Sequence, residues 1–101
     1  MSKVYKFYSD PGHGWIAVKM SELVRLNIHN NISGYSYVKG ATVYLEEDGD
    51  ATTFAEAKKT AGEAYEWLRK NTNKNSPIRS YASYRKPSVA TNIRTNIAII
   101  C

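Results

Sequence analysis

Thr53-Phe54-Ala55-Glu56-Ala57-Lys58-Lys59-Thr60-Ala61-Gly62-Glu63-Ala64-Tyr65-Glu66-Trp67-Leu68-Arg69-Lys70 is the stretch on which the fold turns. Thr53 with Glu56 three residues later matches a capping box, in which hydroxyl and carboxylate reciprocally satisfy exposed amides. Phe54, Ala57, Ala61, Ala64, Tyr65 and Leu68 recur at helical spacing and predict one apolar stripe. Arg69 and Lys70 then fall at the C-terminal end, where cations complement the helix dipole. The pattern predicts a helix running to about Lys70, and its stripe must be buried against another layer.

Upstream segments supply that layer. Val4-Tyr5-Lys6-Phe7-Tyr8 and Trp15-Ile16-Ala17-Val18 read as strands, rich in aromatic and β-branched residues. Between them, Ser9-Asp10-Pro11-Gly12 predicts a type II turn, with Pro11 pre-setting φ and Gly12 supplying a positive one. Met20 to Leu26 is a short helix, with Ser21 as N-cap and Asn27 as its stop, because Asn tolerates the left-handed conformation. Gly34 to Val38 and Ala41 to Leu45 form a second hairpin around Lys39-Gly40. Alternation puts Val43 and Leu45 on the core face and Thr42, Tyr44 and Glu46 on the other. Ile78 to Tyr84 and Asn96 to Ile100 read as later strands. The order β–β–α–β–β–α–β predicts a single α+β domain over 1–101. Its mainly antiparallel sheet packs with one long and one short helix, and 86–101 form a C-terminal arm or edge strand.

With 101 residues, 43% of them hydrophobic, the chain can bury one core and cannot hold two domains. No apolar run reaches the ~18 residues of a membrane helix, so no membrane association is expected. The polar start (Ser2, Lys3, Lys6) is unlike a signal peptide. A lone cysteine, Cys101, fits a reducing compartment. The formal charge of +5 is unevenly spread. Residues 1–45 carry five basic and two acidic side chains, 46–66 carry two and seven, and 67–101 carry seven and none. A basic final third after an acidic middle predicts two electrostatic surfaces, provided the fold does not mix them.

Few motifs carry chemistry. Asp10 and His13 flank the Pro-Gly turn as half of an acid–base pair, or simply as turn residues. Glu46, Glu47, Asp48 and Asp50 offer oxygen ligands, but their spacing departs from the EF-hand loop, and no paired His or Cys supports a metal. They read instead as a solvated turn before the long helix. Gly12-His13-Gly14 lacks the context of a phosphate-binding loop. No catalytic residue, metal site or cofactor follows. The unusual feature is eight tyrosines, several beside basic residues. Aromatic planes stack on bases while cations hold phosphates, and the same residue types anchor protein interfaces. The predicted ligand-binding residues are His13, Trp15, Tyr35, Tyr37, Arg79, Tyr81, Tyr84 and Arg85. Of these, Trp15 has the strongest alternative reading as plain core.

Three blocks form a wider pattern: Phe7-Tyr8-Ser9-Asp10-Pro11-Gly12-His13-Gly14-Trp15, then Ile32-Ser33-Gly34-Tyr35-Ser36-Tyr37, then Val43-Tyr44-Leu45-Glu46-Glu47-Asp48. With Ile78-Arg79-Ser80-Tyr81, this pattern resembles a group of small proteins of tailed bacteriophages and prophages. The resemblance covers most of 7–84 and implies a phage origin and action in the bacterial host cytoplasm. It supplies no activity and no catalytic residue. The first functional reading is a non-catalytic binder of an anionic ligand, either nucleic acid or a nucleotide-like signal molecule, in a host-takeover or counter-defence role. The alternative is an inhibitor or adaptor of a host protein. The third is a small metal-dependent or His-based hydrolase. A homo-oligomer is also expected, with Ile97 to Ile100 completing a neighbour's sheet.

Overall fold

The computed structural model describes residues 3–85. Strands β1 (Lys3–Ser9) and β2 (Gly14–Lys19) lead into helix α1 (Met20–Arg25). Strands β3 (Tyr37–Lys39) and β4 (Thr42–Glu46) lead into helix α2 (Asp50–Ala61). Strand β5 (Tyr65–Asn71), a 3-10 turn (Pro77–Ser80) and the short strand β6 (Ala82–Ser83) follow. The six strands form one sheet in the order β5-β1-β2-β4-β3-β6, antiparallel throughout except for the parallel β1–β5 pair. The α+β class and both hairpins stand as predicted, except that the first strand of the second hairpin is only Tyr37–Lys39 and leaves residues 34–36 in a turn before it. The predicted strand at 96–100 lies outside the described residues.

Period-two alternation sorts the side chains. Ile16 faces Leu45, Val18 faces Val43 and Phe7 faces Ile16, so these share one face. They pack with Leu23, Ala51 and Phe54 of the two helices, and Val43, Leu45, Leu23 and Phe54 are wholly buried. Tyr5 joins them, its ring edge-on to Phe54 at 5.1 Å. Trp15, Tyr44, Tyr37 and Glu46 point to the opposite face, as their registers require.

Helix α2 departs from expectation at both ends. It begins at Asp50, with Gly49 as N-cap and no side-chain cap. Thr53 lies a turn inside, its hydroxyl donating to the Gly49 carbonyl at 3.5 Å, so the capping box is not formed. The helix ends at Ala61 rather than near Lys70. Gly62 takes φ 72°, and the amides of Gly62 and Glu63 return to the carbonyls of Lys59 and Lys58. That double closure is a Schellman stop, for which glycine in the left-handed conformation is suited. The following Tyr65-Glu66-Trp67-Leu68 is strand, and its aromatic residues gain more on a pleated sheet than on a helix. Leu68 is therefore exposed, not part of a helical stripe.

Smaller corrections have equally local causes. Helix α1 starts with Lys19 as N-cap, leaving Ser21 inside it, while Asn27 at φ 59° does end it as read. The turn after β1 is not type II, because Gly12 has no positive φ. The Asp10 carboxylate shapes it instead, accepting from the Gly12 and His13 amides at 3.0 Å each. Residues 78–81 form the 3-10 turn and its exit instead of a strand, with Ser76 accepting from the Ile78 amide as its cap. Among the described residues no helix is long and apolar enough to cross a membrane.

Candidate functional site

Strand β5 lies at one edge of the sheet and β6 at the other, so the chain between them must cross a face. The helices cover one face, and residues 72–81 cross the other. The strap's Tyr81 lies 5.2 Å from the Tyr44 ring, and Ile78 is buried beneath it. Arg79 is held by Asp10, which comes from the β1–β2 turn. Nε donates to one carboxylate oxygen at 2.6 Å and Nη2 to the other at 2.8 Å. The Ser76 amide adds a third anchor to the same carboxylate at 2.9 Å. The Arg79 hydrogen bonds hold the Asp10 carboxyl well below the usual carboxylate range. Asp10 is thus saturated by amides and a guanidinium, and the expected carboxylate–imidazole pair with His13 is not formed.

The strap forms one wall of a cleft of about 430 Å³, lined by His13, Trp15, Tyr35, Tyr37, Glu46, Asp48, Gly49 and Arg79. Trp15 is its floor, almost fully buried, with the Arg79 guanidinium 5.6 Å from its ring centre. His13 and Tyr37 stand 6.0 and 6.3 Å from that ring. Tyr35 projects at the rim with 79% of its surface exposed. Gly14 permits the close approach of its strand. A Cβ there would clash with the Glu47 carboxylate and the edge of the Phe7 ring.

The tyrosine wall is fixed by α2. Asp50, at the helix start, accepts from the Ser33 amide and hydroxyl and from the Ser36 hydroxyl. Ser36 accepts in turn from the Glu46 amide at 3.0 Å. Glu46 accepts from the Asp48 amide at 2.8 Å, which shapes the acidic turn at the cleft mouth. Several groups in the cleft remain unspent. The ring nitrogens of His13, the hydroxyls of Tyr35 and Tyr37, the Asp48 carboxylate and Arg79 Nη1 bond to none of the described residues.

Of the predicted ligand-binding residues, the structure brings His13, Trp15, Tyr35, Tyr37 and Arg79 together around this cleft. Tyr81 lies on the other side of the strap, in a smaller hollow with Tyr8, Tyr44 and Lys70. Tyr84 is a correction. It is buried in the helix-side core, its hydroxyl donating to the His29 carbonyl, so it is not placed to meet a ligand. Arg85 is exposed and lines none of these hollows. Sequence reasoning missed Glu46, Asp48 and Gly49 as cleft residues, having read them as a solvated turn. The usable signal was Glu46 lying two residues beyond outward-facing Tyr44. Among the described residues no three His, Cys, Asp or Glu side chains gather to hold a metal. Compared with family models, curated proteins and solved structures, the chain matches none.

Proposed function

We propose that the chain is a small phage-type accessory protein that binds a nucleotide-like ligand in the Trp15 cleft, without catalysis. One observation carries this reading: an aromatic-walled cleft into which unspent donors and acceptors of both signs converge. Clefts of roughly 300–1,000 Å³ with apolar walls and a few oriented polar groups are the usual form of small-ligand sites. Tyr35 and Tyr37 offer planes for a base. Asp48 is an acceptor for ribose hydroxyls or an exocyclic amine, and Arg79 and His13 are donors for phosphate. Asp10 already neutralises Arg79, so phosphate recognition there is directional more than electrostatic. Affinity should accordingly depend only weakly on salt.

The test is a calorimetric titration with AMP, ADP and ATP at low salt. Tyr35→Ala should weaken binding by about 5- to 150-fold, the value of one stacked base, with an unchanged circular dichroism spectrum. Failure of all three nucleotides to bind at millimolar concentration would overturn the reading.

A second reading has its own observation. Lys6, Lys19, Lys39 and Lys70 all fall by register on the strap-side face, and none forms an ion pair with a described residue. A tyrosine row runs between them, Tyr8 to Tyr44 at 6.0 Å and Tyr44 to Tyr81 at 5.2 Å. Such a surface suits a single-stranded nucleic acid. Oligonucleotide binding with a steep salt dependence, lost in a Lys6→Glu, Lys70→Glu double variant, would favour it over the cleft reading.

A further inference from the structure

The two edges of the sheet are unlike. Strand β6 has two residues, a short edge of the kind that resists pairing. Strand β5 has seven residues, exposed along nearly all its length, and no described strand covers its outer side. Trp67 and Leu68 are 36% and 46% exposed on it. The Thr72 amide donates to the Ser9 carbonyl, and Ser9 is the register partner of Asn71. In a parallel ladder this turns the amides of Glu66, Leu68 and Lys70 toward β1. Those of Tyr65, Trp67, Arg69 and Asn71 then point outward, with no strand partner among the described residues.

We infer that β5 pairs antiparallel with β5 of a second copy about a two-fold axis at Leu68, joining two sheets into one. An isologous contact requires a self-complementary strand, and Tyr65-Glu66-Trp67-Leu68-Arg69-Lys70-Asn71 is one about its centre. Glu66 meets Lys70 of the second copy, Trp67 meets its Arg69 and Leu68 meets its Leu68. The ion pair occurs twice, once on each side of the axis. The outward amides fix the phase. Trp67 and Arg69 become a hydrogen-bonded pair, while Glu66–Lys70 and Leu68–Leu68 take non-hydrogen-bonded positions, where side chains approach more closely. Moving the axis to Arg69 would set like charges opposite each other, and moving it to Trp67 would forfeit both ion pairs. Charges that ordinarily keep an edge strand apart are here ordered to match a copy of themselves.

The experiment is sedimentation equilibrium of the full chain over a concentration series, with charge reversals at the paired positions. The wild type should sediment as a dimer. Glu66→Lys or Lys70→Glu sets like charges opposite each other at both pairs and should weaken dimerisation about tenfold or more. The double reversal Glu66→Lys, Lys70→Glu restores the pairing and should recover the wild-type constant, which a fold defect would not do. A wild-type monomer at every concentration, or a dimer indifferent to all three variants, overturns the proposal. Nucleotide binding in the cleft is scored separately and does not enter this result.

Discussion

On one face of the sheet, Ile16, Val18, Val43 and Leu45 close against two helices. On the other, Tyr8, Tyr44, Trp15 and Tyr37 lie under a single strap of chain. On each face a buried carboxylate bonds to cations, and the two serve different ends. Glu22, on the helix side, accepts from Tyr5, Lys3, Arg25 and the almost fully buried Lys58. That cluster ties β1, α1 and α2 together. Asp10, on the strap side, ties the β1–β2 turn to Arg79 and holds it beside Trp15. The same device locks secondary structure together on one face and a cleft wall on the other. Stability should therefore reside mainly in the helix face, and binding in the strap face.

Three measurements sharpen or break that division, taken from the largest effect to the smallest. Phe54→Ala empties a fully buried ring site at the centre of the helix-side core. It should cost about 3–5 kcal/mol in urea unfolding, and a loss below about 1 kcal/mol would place the stability elsewhere.

Acid should act next, through Glu22 and Glu63 on the helix face and also through the depressed Asp10 carboxyl on the strap face. Burial raises the Glu22 carboxyl, but hydrogen bonds from Tyr5, Lys58 and Lys3 outweigh it and hold the group at about 2. Glu63, bonded by Arg25 and Lys58, is also drawn down to about 2. Both lie below the unfolded value of about 4.3. Their contribution is thus complete above that pH and is lost as pH falls toward 2. The urea midpoint should drop between pH 5 and pH 2.5 in the wild type, and drop less in Glu22→Gln. Equal slopes for the two proteins would deny Glu22 this role. Smallest is Tyr35→Ala, at an exposed rim with no core contact. Its unfolding free energy should stay within about 0.5 kcal/mol of wild type, although the proposed nucleotide binding should weaken. A larger loss would mean that the strap face supports the fold as well.

The hairpins were legible because their signals are short-range: alternating apolar residues, a Lys-Gly turn, an asparagine that stops a helix. The stretch from Thr53 to Lys70 was misread because Phe54, Ala57 and Ala61 establish a helical period that Tyr65 and Leu68 happen to continue. Gly62 breaks it, and a left-handed glycine stop counts for more than apparent spacing once β1 offers a parallel partner. The cleft was half legible. Tyrosines beside basic residues pointed to His13, Trp15, Tyr35, Tyr37 and Arg79, whereas Tyr84 carries the same signature and faces the core. Composition does not say on which side of a sheet a residue emerges.

By itself the sequence determined the α+β class, the two hairpins, the inward set of Val43 and Leu45, and the stop at Asn27. Each depends on residues a few positions apart, whose steric and hydrogen-bonding preferences act within a turn or a strand pair. The tertiary structure alone decided that Asp10 would meet Arg79 across 69 positions and that acidic residues would line an aromatic cleft. It alone set a seven-residue strand at the edge of the sheet, its outer side uncovered by any described strand. Those outcomes follow from strand order. With β5 beside β1 and β6 beside β3, the connecting chain had to cross the sheet, and that crossing built the cleft wall.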